Sequence, residues 1–336
     1  MKKSKVLVLM LALVLSLSLL FGGSADARKV DFVAIVTGGT GGVYYPLGGA
    51  LAQIISNKVA NVSASAQSGN ASVANCNIVA KEDAETAFVQ NNVADSAYNG
   101  IGPWKGRALK NLRAIASLYP ETIQIVARAE TGIKTIADIK GKRIAVGDKG
   151  SGTEFDTRNI LTSHGITYDM IKPDYVDYSV AASRLKDDQD DMLFKTAGFP
   201  ASAIIDLTMS KKTNFVSLSP EAVKKLTAKF PFYVSMTIPA NTYKGQSEPV
   251  QTIAMMAIWV THEKVSEKLV YEMTKVLYEK TPMLYRAKKD LESGAEILAK
   301  VHQQGKDVTL DTALDGITIP FHAGAEKYYK EKGLMK

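Results

Sequence analysis

The sequence contains only one cysteine, Cys76, in 336 residues. An internal disulfide is therefore excluded, and Cys76 lies in a helical pattern where a small buried side chain is expected rather than a catalytic thiol. The four histidines, His164, His262, His302 and His322, have none of the spacings that are typical of metal ligands. We therefore expect no metal, no cofactor and no catalytic residue, and we expect these histidines at the surface.

Long runs of one charge are missing as well. The 41 Lys and Arg residues and the 34 Asp and Glu residues are interspersed, and the formal net charge is +7. Nucleic-acid-binding proteins concentrate basic residues on one surface, so we expect no nucleic-acid partner. A mildly basic chain of this kind suits a small anionic ligand.

Beyond its first residues the sequence has no apolar stretch of about twenty residues, the length that spans a membrane. At the start, three lysines precede the apolar run 6–15, and the small residues Ala25 and Ala27 follow. This pattern is typical of a cleavable signal peptide. We therefore predict a signal peptide at residues 1–27, cleavage before Arg28, and a periplasmic protein without a lipid anchor.

What the sequence does have is a glycine-rich loop at residues 37–42, directly after the strand-like run 30–36. Apolar residues at helical spacing follow from Val43, so this stretch predicts a strand, a glycine loop and a helix. The first N–H groups of a helix have no partner within it, and the helix dipole makes this end partly positive, which favours a bound anion. A nucleotide is disfavoured, because no Gly-Lys-Ser or Gly-Lys-Thr follows and no acid ends the next strand, 61–67. A purely structural turn is the alternative.

A second glycine-rich turn, residues 147–152, repeats this arrangement. It follows the predicted strand 143–146 and leads into a helix whose first residues include Ser151 and Thr153. Strands and helices alternate along both halves of the chain, which predicts α/β domains with parallel sheets. A chain of this length is sufficient for two such domains, each with its own core.

Small polar residues cluster after the predicted strands. In open α/β sheets a ligand binds beyond the carboxyl ends of the strands, and hydroxyl and amide groups there donate hydrogen bonds to a carboxylate without reacting with it. Tyr44 and Tyr45 point about a hundred degrees apart on a helix, so only one of them faces a cleft, and we favour Tyr44. Asn70 is also the predicted N-cap of the helix that follows it. The predicted ligand-binding residues are Thr40, Gly41, Val43, Tyr44, Asn70, Gln90, Ser151 and Thr153.

Four blocks of the sequence resemble a known protein family. They are residues 38–46, residues 72–79 with 87–90, residues 150–154, and residues 238–246 leading into 265–267. Together and in this order they resemble the TAXI-type substrate-binding proteins of tripartite ATP-independent periplasmic (TRAP) transporters, over nearly the whole chain after residue 27. The resemblance implies a type II periplasmic binding fold, a carboxylate ligand such as glutamate, 2-oxoglutarate or a similar dicarboxylate, and contacts from the residues named above.

We therefore predict an α/β fold of two lobes, a type II periplasmic binding protein in which two crossing strands form the hinge. The predicted first lobe comprises residues 28–121 and the returning segment 240–336 with the C-terminal helices. The predicted second lobe comprises residues 122–239. Separate strands are expected on the two sides of the first boundary, at residues 112–118 and 122–128.

The predicted function is that of an extracytoplasmic solute receptor, not an enzyme. The receptor would close on a small carboxylate by hinge motion and deliver it, as a monomer, to the membrane subunits of a TRAP transporter. Two alternatives stay open: a periplasmic hydrolase that uses Ser151, and an amino-acid-binding protein of an ABC transporter. Ser151 lacks the Gly-x-Ser-x-Gly context of many hydrolases, because Lys149 stands in place of the first glycine.

Overall fold

A computed structural model of the protein describes residues 30–284 and 291–336. The predicted signal peptide at residues 1–27 lies outside these residues. Residues 32–336 form one compact unit, which contains both lobes. The strands are β1 (Asp31–Val36), β2 (Val62–Gln67), β3 (Thr86–Gln90), β4 (Leu112–Arg128), β5 (Arg143–Ala145), β6 (Lys172–Asp174), β7 (Met192–Ala197), β8 (Thr213–Phe215), β9 (Val234–Ile238) and β10 (Val250–His262). The α-helices are α1 (Tyr44–Lys58), α2 (Ser72–Ala80), α3 (Asn91–Asn99), α4 (Gly152–Ser163), α5 (Tyr178–Lys186), α6 (Ser202–Ser210), α7 (Pro220–Lys229), α8 (Glu267–Tyr278), α9 (Gly294–Val301) and α10 (Ala323–Glu331).

One mixed sheet runs through the described residues in the order β2-β1-β3-β10-β4-β7-β5-β6, with β9 paired to β10 and β8 paired to β4. β1 is parallel to β3, and β5 is parallel to both β6 and β7. β10 runs antiparallel to β3 and to β4, and β4 runs antiparallel to β7. The parallel arrangement predicted from the sequence therefore holds within each half, whereas the two long strands that join the halves run against their neighbours.

Strands β4 and β10 belong to both halves of this sheet. The β4 residues up to Thr122 pair with β10, and from Thr122 onward β4 pairs with β7. β10 pairs with β9 through residues 250–254 and with β3 through residues 257–261. The strand order is therefore equivalent on the two sides, β2-β1-β3-β10-β4 in one lobe and β6-β5-β7-β4-β10 in the other. The predicted two-lobe α/β fold of type II with two crossing strands is confirmed, and the residue boundaries of the lobes stay a prediction.

The crossing strand β4 is longer than the sequence pattern indicates. Sequence reasoning divides it into strands at 112–118 and 122–128, but the structure has one strand of 17 residues. Pro120 lies within it, opposite Met256, close to a register shift in the pairing with β10. Proline lacks the N–H of a regular ladder, and irregular pairing accommodates it without ending the strand.

Each lobe has its own buried cores. The described C-terminal helices α8 and α10 pack on the first lobe, where the hydroxyl of Tyr329 donates to the backbone oxygen of Ile115 at 2.9 Å. The first-lobe cores include Leu47, Leu51, Cys76, Phe88, Val89, Trp104, Trp259, Tyr328 and Tyr329. The second-lobe cores include Ile125, Val126, Ile144, Ile160, Leu193, Phe194, Ile204 and Tyr243.

A buried ion-pair cluster fixes the end of β4 to the start of β7. Arg128 is only 7% exposed, and its guanidinium donates to the backbone oxygen of Asp190 at 2.9 Å and to Asp191 Oδ1 at 3.0 Å. Arg143 donates to Asp191 as well, from its backbone N–H at 2.9 Å and from its guanidinium at 2.6 Å. Burial alone would raise the pKa of Asp191, but the hydrogen bonds from Arg143 and Arg128 lower this pKa to about 2.

We expect Asp191→Asn to lower the free energy of unfolding by about 2 kcal/mol at pH 7, because it removes the buried carboxylate that Arg128 and Arg143 share, although Arg128 keeps its more exposed partners Glu130 and Asp188. The folded-state pKa of Asp191 lies below its unfolded value, so this contribution is present above about pH 4 and is lost as the pH falls towards 2. The control is Lys330→Ala, which removes an exposed pair with Glu326 and should change the free energy by less than about 0.5 kcal/mol. Urea unfolding at pH 7 and pH 3 measures these differences, and an equal deficit at both pH values would contradict the assignment.

Candidate functional site

A cleft lies between the two lobes, with about 740 Å³ of empty space including its open mouth. Its walls are the glycine loop after β1, the turn after β2, the ends of β3 and β7, and the first turns of α4 and α5. The lining residues are 38–44, 69–72, 151–153 and 177–179 together with Gln90, Glu121, Asp148, Thr196 and Ala197. Carboxyl ends of strands from both lobes thus face one space, as expected for a ligand site in an open α/β sheet.

All eight residues predicted from the sequence line this cleft. Five of them are buried, namely Val43, Tyr44, Gln90, Ser151 and Thr153. The other three, Thr40, Gly41 and Asn70, are exposed. The structure brings the set together, and its role in ligand binding stays a prediction. Tyr44 lines the cleft as expected, whereas Tyr45 does not line it and is 37% exposed.

The glycine loop leads into α1 without a capping side chain. Val43 holds the N-cap position and makes no side-chain cap hydrogen bond, and the N–H of Gly42 donates to the backbone oxygen of Gly39 at 3.0 Å. Pro46 has no N–H, and the N–H of Leu47 donates to the backbone oxygen of Val43 at 3.3 Å. The N–H groups of this turn that lack a partner in the helix and a capping side chain are therefore those of Tyr44 and Tyr45. An anion at this position would receive these hydrogen bonds and the favourable end of the helix dipole.

Helix α4 begins at the opposite wall of the cleft. Ser151 is its N-cap, and the Ser151 Oγ accepts a hydrogen bond from the N–H of Glu154 at 3.1 Å. Thr153 Oγ1 lies 2.9 Å from the hydroxyl of Tyr178 and accepts from the N–H of Thr196 at 3.2 Å. Ser151 therefore keeps its hydroxyl proton for a ligand, whereas the hydroxyl of Thr153 serves to hold the second lobe together.

The turn after β2 differs from the prediction. Ala71, not Asn70, holds the N-cap position of α2, and it does so with φ = 61° and ψ = −150°. A non-glycine residue in this region of φ/ψ space carries a strain on the order of 1–3 kcal/mol, and such residues concentrate at ligand sites. The expectation that Asn70 caps the helix is therefore wrong, because the strained backbone at Ala71 moves the start of the helix one residue onward.

Sequence reasoning missed Glu121, which lies in the crossing strand β4. Its side chain lines the cleft, the residue is 4% exposed, and its Oε2 accepts a hydrogen bond from the hydroxyl of Tyr44 at 2.7 Å. Burial raises the pKa of Glu121 to about 8, although the hydrogen bond from Tyr44 and the charge of Lys195 oppose this shift. The sequence feature that could have revealed Glu121 is its position as an acidic residue between two apolar strand-like runs, 112–118 and 122–128.

The charges around the cleft are mostly acidic. Glu121, Asp148 and Asp177 line it, and no basic side chain does so within the described residues. Lys195 lies behind the wall with its Nζ 3.8 Å from the ring centroid of Tyr178, and burial lowers the pKa of this lysine to about 8. Burial and the neighbouring Asp177 raise the pKa of Asp148. A molecule whose anionic end meets the helix starts would therefore place its other end among acids.

Gln90 joins the lobes at the floor of the cleft. Its Nε2 donates to Asp156 Oδ2 of α4 at 3.1 Å, while its Oε1 is buried and has no hydrogen-bond partner among the described residues. An added Cβ on Gly152 would overlap the carboxamide of Gln90, which explains the need for glycine at the first position of α4. One N–H of this amide therefore donates to Asp156 rather than to a ligand, and the role of Gln90 in ligand binding stays a prediction.

Other contacts also cross the cleft, so the structure shows the two lobes closed on each other. The backbone oxygen of Gly150 accepts from the N–H groups of Val73 and Ala74, each at 3.1 Å. On the other wall, an added Cβ on Gly41 would lie 2.5 Å from the Oγ of Ser179. The glycine loop therefore packs against the start of α5 at a distance that a residue with a side chain would not permit.

The hydrolase alternative finds no support in the geometry. No histidine is among the described residues that line the cleft, so Ser151 has no imidazole base beside it.

His262 and His322 are buried, at 8% and 3% exposure, so the expectation of surface positions is wrong for these two. No cluster of three or more potential metal ligands occurs in the part of the chain that the structure describes. Within residues 30–284 and 291–336, no helix combines the length and apolar character needed to cross a membrane.

Three solved structures illustrate the similarity to known proteins. The alkanesulfonate-binding protein SsuA from Xanthomonas axonopodis pv. citri, bound to MOPS, shares 14% identity over 92% of this chain and 96% of its own, with a TM-score of 0.46. PhnD1 from Prochlorococcus marinus, in complex with methylphosphonate, shares 10% identity over 91% and 99%, with a TM-score of 0.49. An ABC uptake transporter substrate-binding protein from Streptococcus pneumoniae, with bound histidine, shares 12% identity over 73% and 84%, with a TM-score of 0.43. Likeness at this level assigns no ligand to the present chain.

The comparison with protein families corrects the resemblance drawn from the sequence. The model of one family, described as the NMT1-like family, matches residues 35–333. Identification as a TAXI-type protein of a TRAP transporter is therefore wrong, although the four blocks on which it rested all lie within the matched residues. Because the match covers nearly all of the described residues, the chain belongs to the NMT1-like family.

Proposed function

We propose that the protein is an extracytoplasmic solute-binding protein that closes its two lobes on an amino acid and presents it to a membrane transporter. One observation carries this proposal: a single cleft holds two helix starts at its walls, one of them without a side-chain cap, and a buried acid, Glu121, at its floor. The helix starts suit a carboxylate, and the acid suits a positively charged group. A zwitterion satisfies both.

The carboxylate end of the solute would meet the glycine loop and the start of α4. The uncapped first turn of α1 offers backbone N–H groups, and Ser151 offers a hydroxyl proton. Hydrogen bonds to a charged acceptor are each worth roughly 1.5–3 kcal/mol, so a few of them suffice for a receptor of moderate affinity. Neither contact requires a basic side chain, and none of the described residues that line the cleft is basic.

The ammonium end would pair with Glu121. Because burial raises the pKa of Glu121 to about 8, this acid is mostly protonated at pH 7 in the free protein, and an ammonium group beside it would favour the ionised form. The dicarboxylate 2-oxoglutarate fits less well, because its second negative charge would approach Glu121, Asp148 or Asp177 with no basic side chain to receive it. Of the ligands considered from the sequence, the amino acids are therefore favoured.

The membrane partner is proposed to be the membrane subunits of an ABC-type importer. This was the alternative left open by the sequence, and assignment to the NMT1-like family removes the resemblance that pointed to a TRAP transporter. A periplasmic location and a cleavable signal peptide at residues 1–27 accompany the proposal. Reconstitution of uptake with the transporter subunits encoded nearest to this chain tests the partner separately from the ligand.

A thermal-shift panel tests the proposal directly. The panel contains the common amino acids, monocarboxylates, dicarboxylates, an alkanesulfonate, a phosphonate and a sugar. A ligand at about a thousand times its dissociation constant stabilises the protein by roughly 4 kcal/mol, which raises the melting temperature clearly. We expect at least one amino acid to do so. If only the sulfonate, the phosphonate or the sugar raises the melting temperature, the proposed function is wrong.

We expect Gly41→Val to weaken amino-acid binding at least tenfold without unfolding either lobe. A side chain at this position meets the Oγ of Ser179 and holds the glycine loop away from α5, so the lobes close less completely. The matched control is Gly49→Val in α1, where an added Cβ meets no atom within 4 Å. Isothermal titration calorimetry measures both variants, and equal affinities would show that the approach of Gly41 to Ser179 is unimportant for binding.

We expect the affinity for the amino acid to rise with pH between pH 6 and 7.5. The ammonium group pairs with ionised Glu121, and since the pKa of this carboxyl is about 8, its ionised fraction grows by about tenfold per pH unit in this window. Glu121→Gln should weaken binding and remove the part of the pH dependence that comes from this carboxyl, leaving any contribution of Asp156, whose pKa burial raises to about 7. An affinity that falls with pH in the wild type would instead identify protonated Glu121 as a donor to a second carboxylate.

A further inference from the structure

We propose that Gln90 is a specificity-determining residue that accepts a hydrogen bond from the solute through its Oε1, and that Asp156 is the positioning residue that fixes this orientation. The inference rests on the proposed function, because it concerns the same cleft and assumes a carboxylate at the start of α4. It narrows the solute to acids that carry an N–H or O–H donor beside the carboxylate, and it disfavours acids with an oxo group there.

The orientation of the Gln90 carboxamide follows from its partner. Asp156 is 1% exposed and each of its carboxylate oxygens accepts two hydrogen bonds. Oδ2 accepts from Gln90 Nε2 at 3.1 Å and from Thr196 Oγ1 at 2.8 Å. Oδ1 accepts from Asn92 Nδ2 at 2.7 Å and from the hydroxyl of Tyr233 at 2.8 Å. Burial raises the pKa of Asp156 to about 7, but these four hydrogen bonds favour its ionised form. A carboxylate offers only acceptors, so the N–H₂ of Gln90 points towards Asp156 and its oxygen points away.

That oxygen belongs to a residue of the cleft wall. Gln90 lines the cleft, is 2% exposed, and its Oε1 has no partner within residues 30–284 and 291–336. The carboxamide packs against Gly152, so the acceptor lies at the start of α4, next to Ser151. A buried acceptor without a donor is unfavourable, and the cleft supplies none. A donor on the solute would satisfy it.

The position of this acceptor restricts the chemistry of the solute. The carboxylate is proposed to bind at the start of α4, and Gln90 Oε1 lies beside that point, so the missing donor belongs on the carbon next to the carboxylate. An amino or hydroxyl group supplies a donor there. An oxo group presents a second acceptor to Oε1, which leaves both oxygens without a hydrogen bond and makes binding unfavourable. The same amino group would face Glu121, the other acceptor of the floor.

Asn92 provides a contrast that makes the role of Gln90 specific. It donates to the same carboxylate and its Oδ1 is also buried without a partner among the described residues, but it is not among the residues that line the cleft. Its carbonyl oxygen therefore cannot meet a solute. Of the two first-lobe amides that donate to Asp156, only Gln90 is a residue of the cleft wall.

The test compares matched pairs of acids on purified protein. Calorimetry measures the affinities of L-amino acids and of the 2-oxo acids with the same carbon skeletons, from alanine and pyruvate to glutamate and 2-oxoglutarate. The variants are Gln90→Met, which keeps the length of the side chain and removes the acceptor, and Asp156→Asn, which removes the carboxylate that orients it. The control is Tyr233→Phe, which removes a donor to the other oxygen of Asp156 and leaves the Gln90 bond in place.

We expect the wild type to prefer the amino acid over its oxo partner at least tenfold. Gln90→Met and Asp156→Asn should reduce this ratio towards one, and Tyr233→Phe should preserve it. A general loss of affinity with an unchanged ratio would mean a structural role and would overturn the inference. If Asp156→Asn does not fold, the affinity ratio measured for Gln90→Met decides whether the inference holds.

Equal binding of both acids by the wild type would overturn the inference, while the proposed carboxylate receptor would stand. Binding of neither acid in any pair would reject the proposed function itself.

Discussion

The antiparallel pairing of β4 with β10 is the interaction on which both lobes depend. Each lobe completes its sheet with a strand that continues into the other, because β10 pairs with β3 and β4 pairs with β7. Neither half can therefore form its sheet from a contiguous piece of chain, which ties the folding of the lobes together. The same arrangement confines the connection between them to a small number of extended segments, which is the geometry of a hinge.

The position of the cleft follows from this pairing. The strand order is equivalent on the two sides of β4 and β10, so the carboxyl ends of β1 and β3 in one lobe face those of β5 and β7 in the other. Helix starts follow these strand ends, and they converge from both lobes on one space. Glu121 lies where β4 changes from the first lobe to the second, which puts a buried carboxylate at the centre of that space. Burial there raises the pKa of Glu121 to about 8, and acids with a strongly shifted pKa in a cleft are characteristic of functional sites.

Features set by local sequence were predictable, and features set by distant contacts were not. The glycine loop before α1 and the cap at Ser151 depend on a few consecutive residues, and turn chemistry and periodicity reveal them. Glu121 escaped because its burial depends on the unbroken run of β4, which the sequence pattern divides near Pro120. Ala71 adopts a backbone conformation that its own propensity opposes, so the tertiary structure imposes it. The orientation of Gln90 depends on Asp156, 66 residues away in the chain.

In the proposed receptor, Asp156 would link the closure of the lobes to the selection of the solute. Its donors come from both lobes, Gln90 and Asn92 from the first and Thr196 and Tyr233 from the second. When the lobes separate, the first-lobe amides leave the carboxylate, and the Gln90 carboxamide is then able to turn either its oxygen or its N–H₂ to the solute. Discrimination at this residue therefore exists only in the closed form. A solute with the matching donor stabilises that form, and a solute without one does not, so the affinity difference between them appears as a difference in closure.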